Sequence, residues 1–98
     1  MKTIYKRVLD EDVDEVLMAL VYIDNLKDMD NFTADLLTQV ELETIARRWK
    51  AVRMLKVGIP YSKVEDATGM SSATIARLAK MLKKRSGGFV SMLNEMGR

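Results

Sequence analysis

Residues 71–85 read SSATIARLAKMLKKR. At the head of this run stand four small side chains, Ser71, Ser72, Ala73 and Thr74. Small groups on the first turn of a helix let its end approach another surface closely. Serine and threonine hydroxyls can bond to several base edges, and alanine or a threonine methyl can meet a thymine methyl. The free amides of a helix start favour phosphate. Lys80, Lys83, Lys84 and Arg85 follow where phosphates would pass, and Lys63 lies a helix earlier. What this run offers is recognition of a polyanion, not bond-making.

Catalytic alternatives are thin. The 98 residues contain no histidine and no cysteine, so Ser–His and Cys–His nucleophile pairs are ruled out. A zinc site would have to rely on carboxylates alone, and no disulfide framework or thiol chemistry is available. There is no glycine-rich phosphate cradle. Neither an enzyme nor a cofactor or metal is expected.

Charge is unevenly placed along the chain. Residues 1–46 carry four basic and eleven acidic side chains, a net of −7, whereas residues 47–98 carry twelve basic and three acidic, a net of +9. The overall +2 conceals this polarity, which suits one end of the molecule to a polyanion. Mutual neutralisation of the halves is the alternative.

Helices must position these groups. One proline, five glycines and the lack of a useful alternating pattern predict an all-α chain forming one domain. A first long helix is expected to begin in the acidic stretch DEDVDE at 10–15, where carboxylates suit the positive end of the helix dipole. Val13, Val16, Leu17, Leu20 and Ile23 share one face, while Met18, Val21 and Tyr22 lie opposite. A helix apolar all round wants burial on every side, and so small a chain offers little interior; a second copy is the expected cover. DMDNF at 28–32 reads as a polar break. Thr38 with Glu41 forms a capping box opening a helix to Val57, closed by Gly58. Its core stripe is Leu42, Ile45, Ala46, Trp49, Val52 and Leu55, with Arg47, Arg48, Lys50, Arg53 and Lys56 outside it.

Pro60 suits the first turn of a helix over YSKVEDAT, closed by Gly69, and Ser71 or Ser72 caps the next. That helix buries Ile75, Leu78, Ala79 and Leu82 and ends at Ser86-Gly87-Gly88; FVSMLNEM at 89–96 forms the last. Two short helices joined at Gly69-Met70-Ser71 make a helix-turn-helix. Many such units place alanine four residues before the turn glycine; here Glu65 stands there, so the crossing is wider or Glu65 points outward. The longest apolar run, VLMALVYI at 16–23, is too short to cross a bilayer. No basic-then-apolar leader opens the chain, and a cytoplasmic location is expected.

The series LLT…E…ARRWKAVRMLKVG…G…SSATIAR…LKK, over roughly residues 35–88, resembles the Trp repressor superfamily, in particular its YerC/YecD-type branch. The Trp repressor, too, lacks a small residue at the position of Glu65. The resemblance implies an intertwined all-helical homodimer with a helix-turn-helix reading head: an N-terminal dimerisation helix at 1–35, a central helix and reading head at 36–88, and a short C-terminal helix at 89–98. It also implies reading heads about one DNA turn apart, ~34 Å, a spacing that is the family's own.

In that relative two arginines hold tryptophan, and they map to Arg48 and Arg77; Thr38 completes the candidate effector pocket. Arginine can give a carboxylate two parallel hydrogen bonds. Leu78, however, stands where the repressor has glycine beside the indole, and Met81 where it has serine near the ligand amine. Overpacking a tight site costs about 1–3 kcal/mol, so L-tryptophan is not the expected co-repressor. The sequence reads as a homodimeric, sequence-specific regulator, a repressor on palindromic double-stranded DNA, with no membrane partner. A helix-turn-helix module that docks on protein, without sequence-specific DNA binding, is the alternative.

Overall fold

The computed structural model describes the backbone of residues 2–84 and 87–98 and the side chains of residues 10–84 and 87–98. Six helices run in order: α1 (Lys2–Tyr22), α2 (Leu26–Leu36), α3 (Gln39–Lys56), α4 (Tyr61–Thr68), α5 (Ser72–Leu82) and α6 (Gly88–Glu95). No strand occurs among the described residues. The chain divides into two compact units, Met1–Gln39 and Val40–Arg98.

The N-terminal unit departs from the sequence expectation twice. Helix α1 starts at Lys2, so the acidic stretch at 10–15 lies inside the helix, not at its start. Its carboxylates are exposed, and apolar neighbours on both sides give the backbone no reason to break there. The DMDNF segment is also helical, because a better start signal lies just before it. Asn25 caps α2: its Oδ1 accepts from the Asp28 N–H at 2.9 Å, while its Nδ2 donates to Asp24 Oδ1 at 3.0 Å and Asp28 Oδ2 at 2.9 Å. Asp28 then sits in the first turn, where the helix dipole favours it. No described side chain of this unit is fully buried. Val21 and Tyr22 are each 82% exposed, and Leu17 is 53% exposed.

The C-terminal unit holds the core. Ala51, Val52, Val64, Ile75, Leu78 and Leu93 are completely buried and form one cluster drawn from four helices. Trp49 packs on its margin with its ring centroid 6.3 Å from that of Phe89, the planes tilted by 44°. The expected stripe of α3 is buried only in its second half. Leu42, Ile45 and Ala46 are exposed, and the burial instead includes Ala51. The helices that pack on α3 in this unit meet its C-terminal two turns, and nothing in the unit covers its start.

Gly58 ends α3. At φ 86° its N–H donates to the Leu55 carbonyl at 3.1 Å, and the Ile59 N–H returns to Met54 at 3.1 Å. This paired closure needs a left-handed residue, and it brings Ile59 back over Met54 on the core margin. Pro60 is the N-cap of α4 and precedes the first turn instead of lying in it. Gly88 opens α6 with Gly87 as its N-cap.

Candidate nucleic-acid interface

Helices α4 and α5 pack against each other, and α5 packs against α6. The turn between α4 and α5 is built from three side-chain and backbone closures. Gly69, at φ 70°, donates its N–H to the Glu65 carbonyl at 2.8 Å, a left-handed cap that a side chain would strain. Thr68 is 4% exposed; its hydroxyl donates to the Val64 carbonyl at 2.6 Å and accepts from the Met70 N–H at 3.3 Å. Ser71 is the N-cap of α5: its Oγ accepts from the Thr74 N–H at 3.2 Å and lies 2.9 Å from the Thr74 Oγ1. Glu65 is half-buried at the last turn of α4.

A further bond ties α4 to α3. Lys50 Nζ donates to the Ala67 carbonyl at 3.4 Å, placing a cation at the C-terminal end of α4, where the helix dipole favours it. Sequence reasoning placed Lys50 on an outer face, and it is exposed; only its contact across seventeen residues was missed, because that leaves no local signal. Thr68 was also missed. A threonine directly before a turn glycine was its one visible cue.

The predicted base-contact residues divide into two pairs. Ser71 and Thr74 are joined by the cap, and Thr74 is half-buried. Ser72 and Ala73 are exposed on the first turn of α5. Ala76, Arg77 and Lys80 are exposed further along the same helix. Among the predicted phosphate contacts, Lys63, Lys83 and Lys84 are exposed. Arg85, with Ser86, lies outside the described residues. Helix α5 ends sooner than expected, at Leu82, because the Lys83 N–H turns to the Lys80 carbonyl at 3.2 Å and the Lys84 N–H to Met81 at 3.2 Å. Lys83 and Lys84 therefore follow the helix and are not part of it.

The candidate effector residues are dispersed in character. Arg48 and Arg77 are exposed. Leu78 is completely buried within the core of the C-terminal unit, and Met81 packs at its edge. Thr38 belongs to the N-terminal unit and directly precedes α3.

The sequence model of the Trp repressor protein family matches residues 11–97, and the chain belongs to that family. It is 29% identical over 86 residues to the uncharacterized protein YerC of Bacillus subtilis (strain 168), a match covering 88% of this chain and 83% of that protein. It also resembles the crystal structure of a protein proposed as a Trp repressor from Staphylococcus aureus. The TM-score there is 0.76 at 28% identity, covering 89% of this chain and 87% of the other. The all-helical, Trp repressor-like fold is thus shared beyond the segment whose residues first pointed to it.

Proposed function

We propose that the protein is a homodimeric, sequence-specific DNA-binding regulator, acting as a repressor, whose α4 and α5 form a helix-turn-helix reading head. One observation carries the proposal: α5 presents an exposed, small-residue first turn, Ser72 and Ala73, followed by exposed Arg77 and Lys80, while its opposite face is anchored by Ile75 and Leu78 in the core. Membership of the Trp repressor family supports the same reading, since such heads insert the start of the second helix into the major groove. Ser72 and Ala73 meet bases, with Ser71 and Thr74 holding the helix start in shape and adding hydroxyl contacts. Lys63, Lys80, Lys83, Lys84 and Arg85 meet phosphates.

The dimer reading rests on apolar surface left uncovered within each unit, on α1 and on the first half of α3. Large apolar side chains left exposed on a helix of so small a chain mark an interface.

L-Tryptophan is not the co-repressor in this reading. Leu78 is packed into the core, so its side chain cannot swing aside without opening a cavity. Calorimetric titration with L-tryptophan should show no micromolar binding; a micromolar dissociation constant would refute this part of the proposal. DNA binding itself is tested with a genomic duplex library across a salt series. Affinity should fall steeply as counterions are released, and salt-insensitive or absent binding would favour a protein-docking role.

A further inference from the structure

Helix α4 has only 8 residues, and α5, which carries the proposed reading face, follows it directly after the Gly69-Met70-Ser71 turn. The last carbonyls of so short a helix need partners from outside its own ladder. That of Glu65 takes the Gly69 N–H from within the turn. That of Ala67 takes its donor from another helix, Lys50 Nζ on α3 at 3.4 Å. Ala67 is the residue before Thr68, whose buried hydroxyl accepts from the Met70 N–H and closes the turn.

The two ends of this bond are held differently. Lys50 directly precedes Ala51 and Val52, both completely buried in the core cluster, so its backbone is fixed. Helix α4 packs chiefly on α5 and gives that cluster of completely buried side chains Val64 alone. Lys50 therefore supplies a second attachment of α4 to α3, beside the turn. Electrostatics favour the same geometry. Arg47 and Arg53 stand three residues to either side of Lys50 on α3, where neighbouring like charges repel. The C-terminal end of α4 offers the ammonium group a negative partner.

We infer that Lys50 is a positioning residue for the reading head: it pins the end of α4 to α3 and so holds Ser72 and Ala73 at the tilt that a chosen base sequence requires, without touching DNA itself. The inference rests on the DNA-binding reading above. A side chain that meets a phosphate acts on every duplex alike and adds to the salt dependence. One that presets the tilt of the head lowers the ordering cost of binding. That saving counts where base edges must be met, so its loss falls on the specific complex.

The test compares Lys50→Met, which keeps the apolar stem and loses the donor, with Lys50→Arg, which keeps a donor. Duplexes selected by the unaltered protein and unrelated duplexes are titrated across a salt series, and amide hydrogen exchange is followed in the free protein. Lys50→Met should weaken the selected duplexes about two- to tenfold, the range of a single hydrogen bond, with unrelated duplexes and the salt slope unchanged. The Gly69 and Met70 amides should exchange faster by a similar factor, and Lys50→Arg should restore both properties. A salt slope lowered by about 1 would make Lys50 a phosphate contact and overturn the inference. Equal weakening on all duplexes, unchanged exchange in Lys50→Met, or an arginine variant no better than the methionine one would also overturn it. If the unaltered protein binds no duplex, the DNA reading itself fails; faster exchange would then confine Lys50 to the stability of the turn, and the inference falls with that reading.

Discussion

Single residues in the α4–α5 turn carry more of the architecture than their size suggests. Thr68 looked like an ordinary helix end in the sequence, yet its buried hydroxyl satisfies two backbone groups at once. Replacing it with valine keeps the shape but leaves the Met70 N–H without that acceptor. Thr68→Val should cost about 1–3 kcal/mol in chemical denaturation; an unchanged midpoint would show that the hydroxyl is dispensable. Leu78 belongs to the same scale. It was legible from the sequence as an apolar-stripe residue, and the structure buries it fully. Leu78→Ala should cost about 2–5 kcal/mol, whereas Leu78→Met should cost less than about 1.5 kcal/mol. A small loss for alanine would mean that the site collapses easily and that the room for an indole is not truly filled.

At the scale of helices, the boundaries at Gly58, Gly69 and Ser71 were readable, whereas Ser86-Gly87-Gly88 did not end α5 and boundaries set by competition between signals were missed. Gly58, Gly69 and Ser71 end or start helices where expected, because a left-handed cap or a side-chain acceptor has no local substitute. The start of α2 was missed because Asn25 outcompetes the polar run that follows it. The end of α5 was placed too late, since nothing in AKMLKKR marks the change that the Lys83 and Lys84 amides make. Glycine itself is tested by a contrast. Gly69 sits at φ 70°, so Gly69→Ala should cost about 1–2 kcal/mol. Gly88 heads α6 with no atom near the position of an added Cβ, so Gly88→Ala should be neutral or stabilise by up to about 1 kcal/mol. Thermal denaturation distinguishes the two. If α5 reads DNA as proposed, Lys80→Gln should weaken all duplexes alike and reduce the salt slope by about 1, while Ala73→Gln should change which sequences are preferred. A Lys80→Gln variant that altered sequence preference instead would reverse the assignment of base and phosphate contacts.

For the molecule as a whole, the charge division along the chain and the apolar residues crowded into the second half of α1 were the sequence features that reached furthest. The family resemblance added the fold they serve, and the match over residues 11–97 bears that out. What stayed illegible was the tertiary pairing of Lys50 with α4, since it depends on a contact across helices. The exposure of Leu17, Val21 and Tyr22 makes self-association the direct expectation for the whole chain. Sedimentation equilibrium should give a dimer, and Leu17→Glu with Val21→Glu should shift it towards monomer; a wild-type monomer at millimolar concentration would contradict the proposed assembly. The central claim, that paired α5 helices read double-stranded DNA, is tested most directly by selecting bound duplexes from a random pool. The account predicts enrichment of a palindrome whose half-sites are centred about one helical turn apart, ~34 Å. Recovery of unenriched sequence, or of a single unpaired half-site, would contradict it.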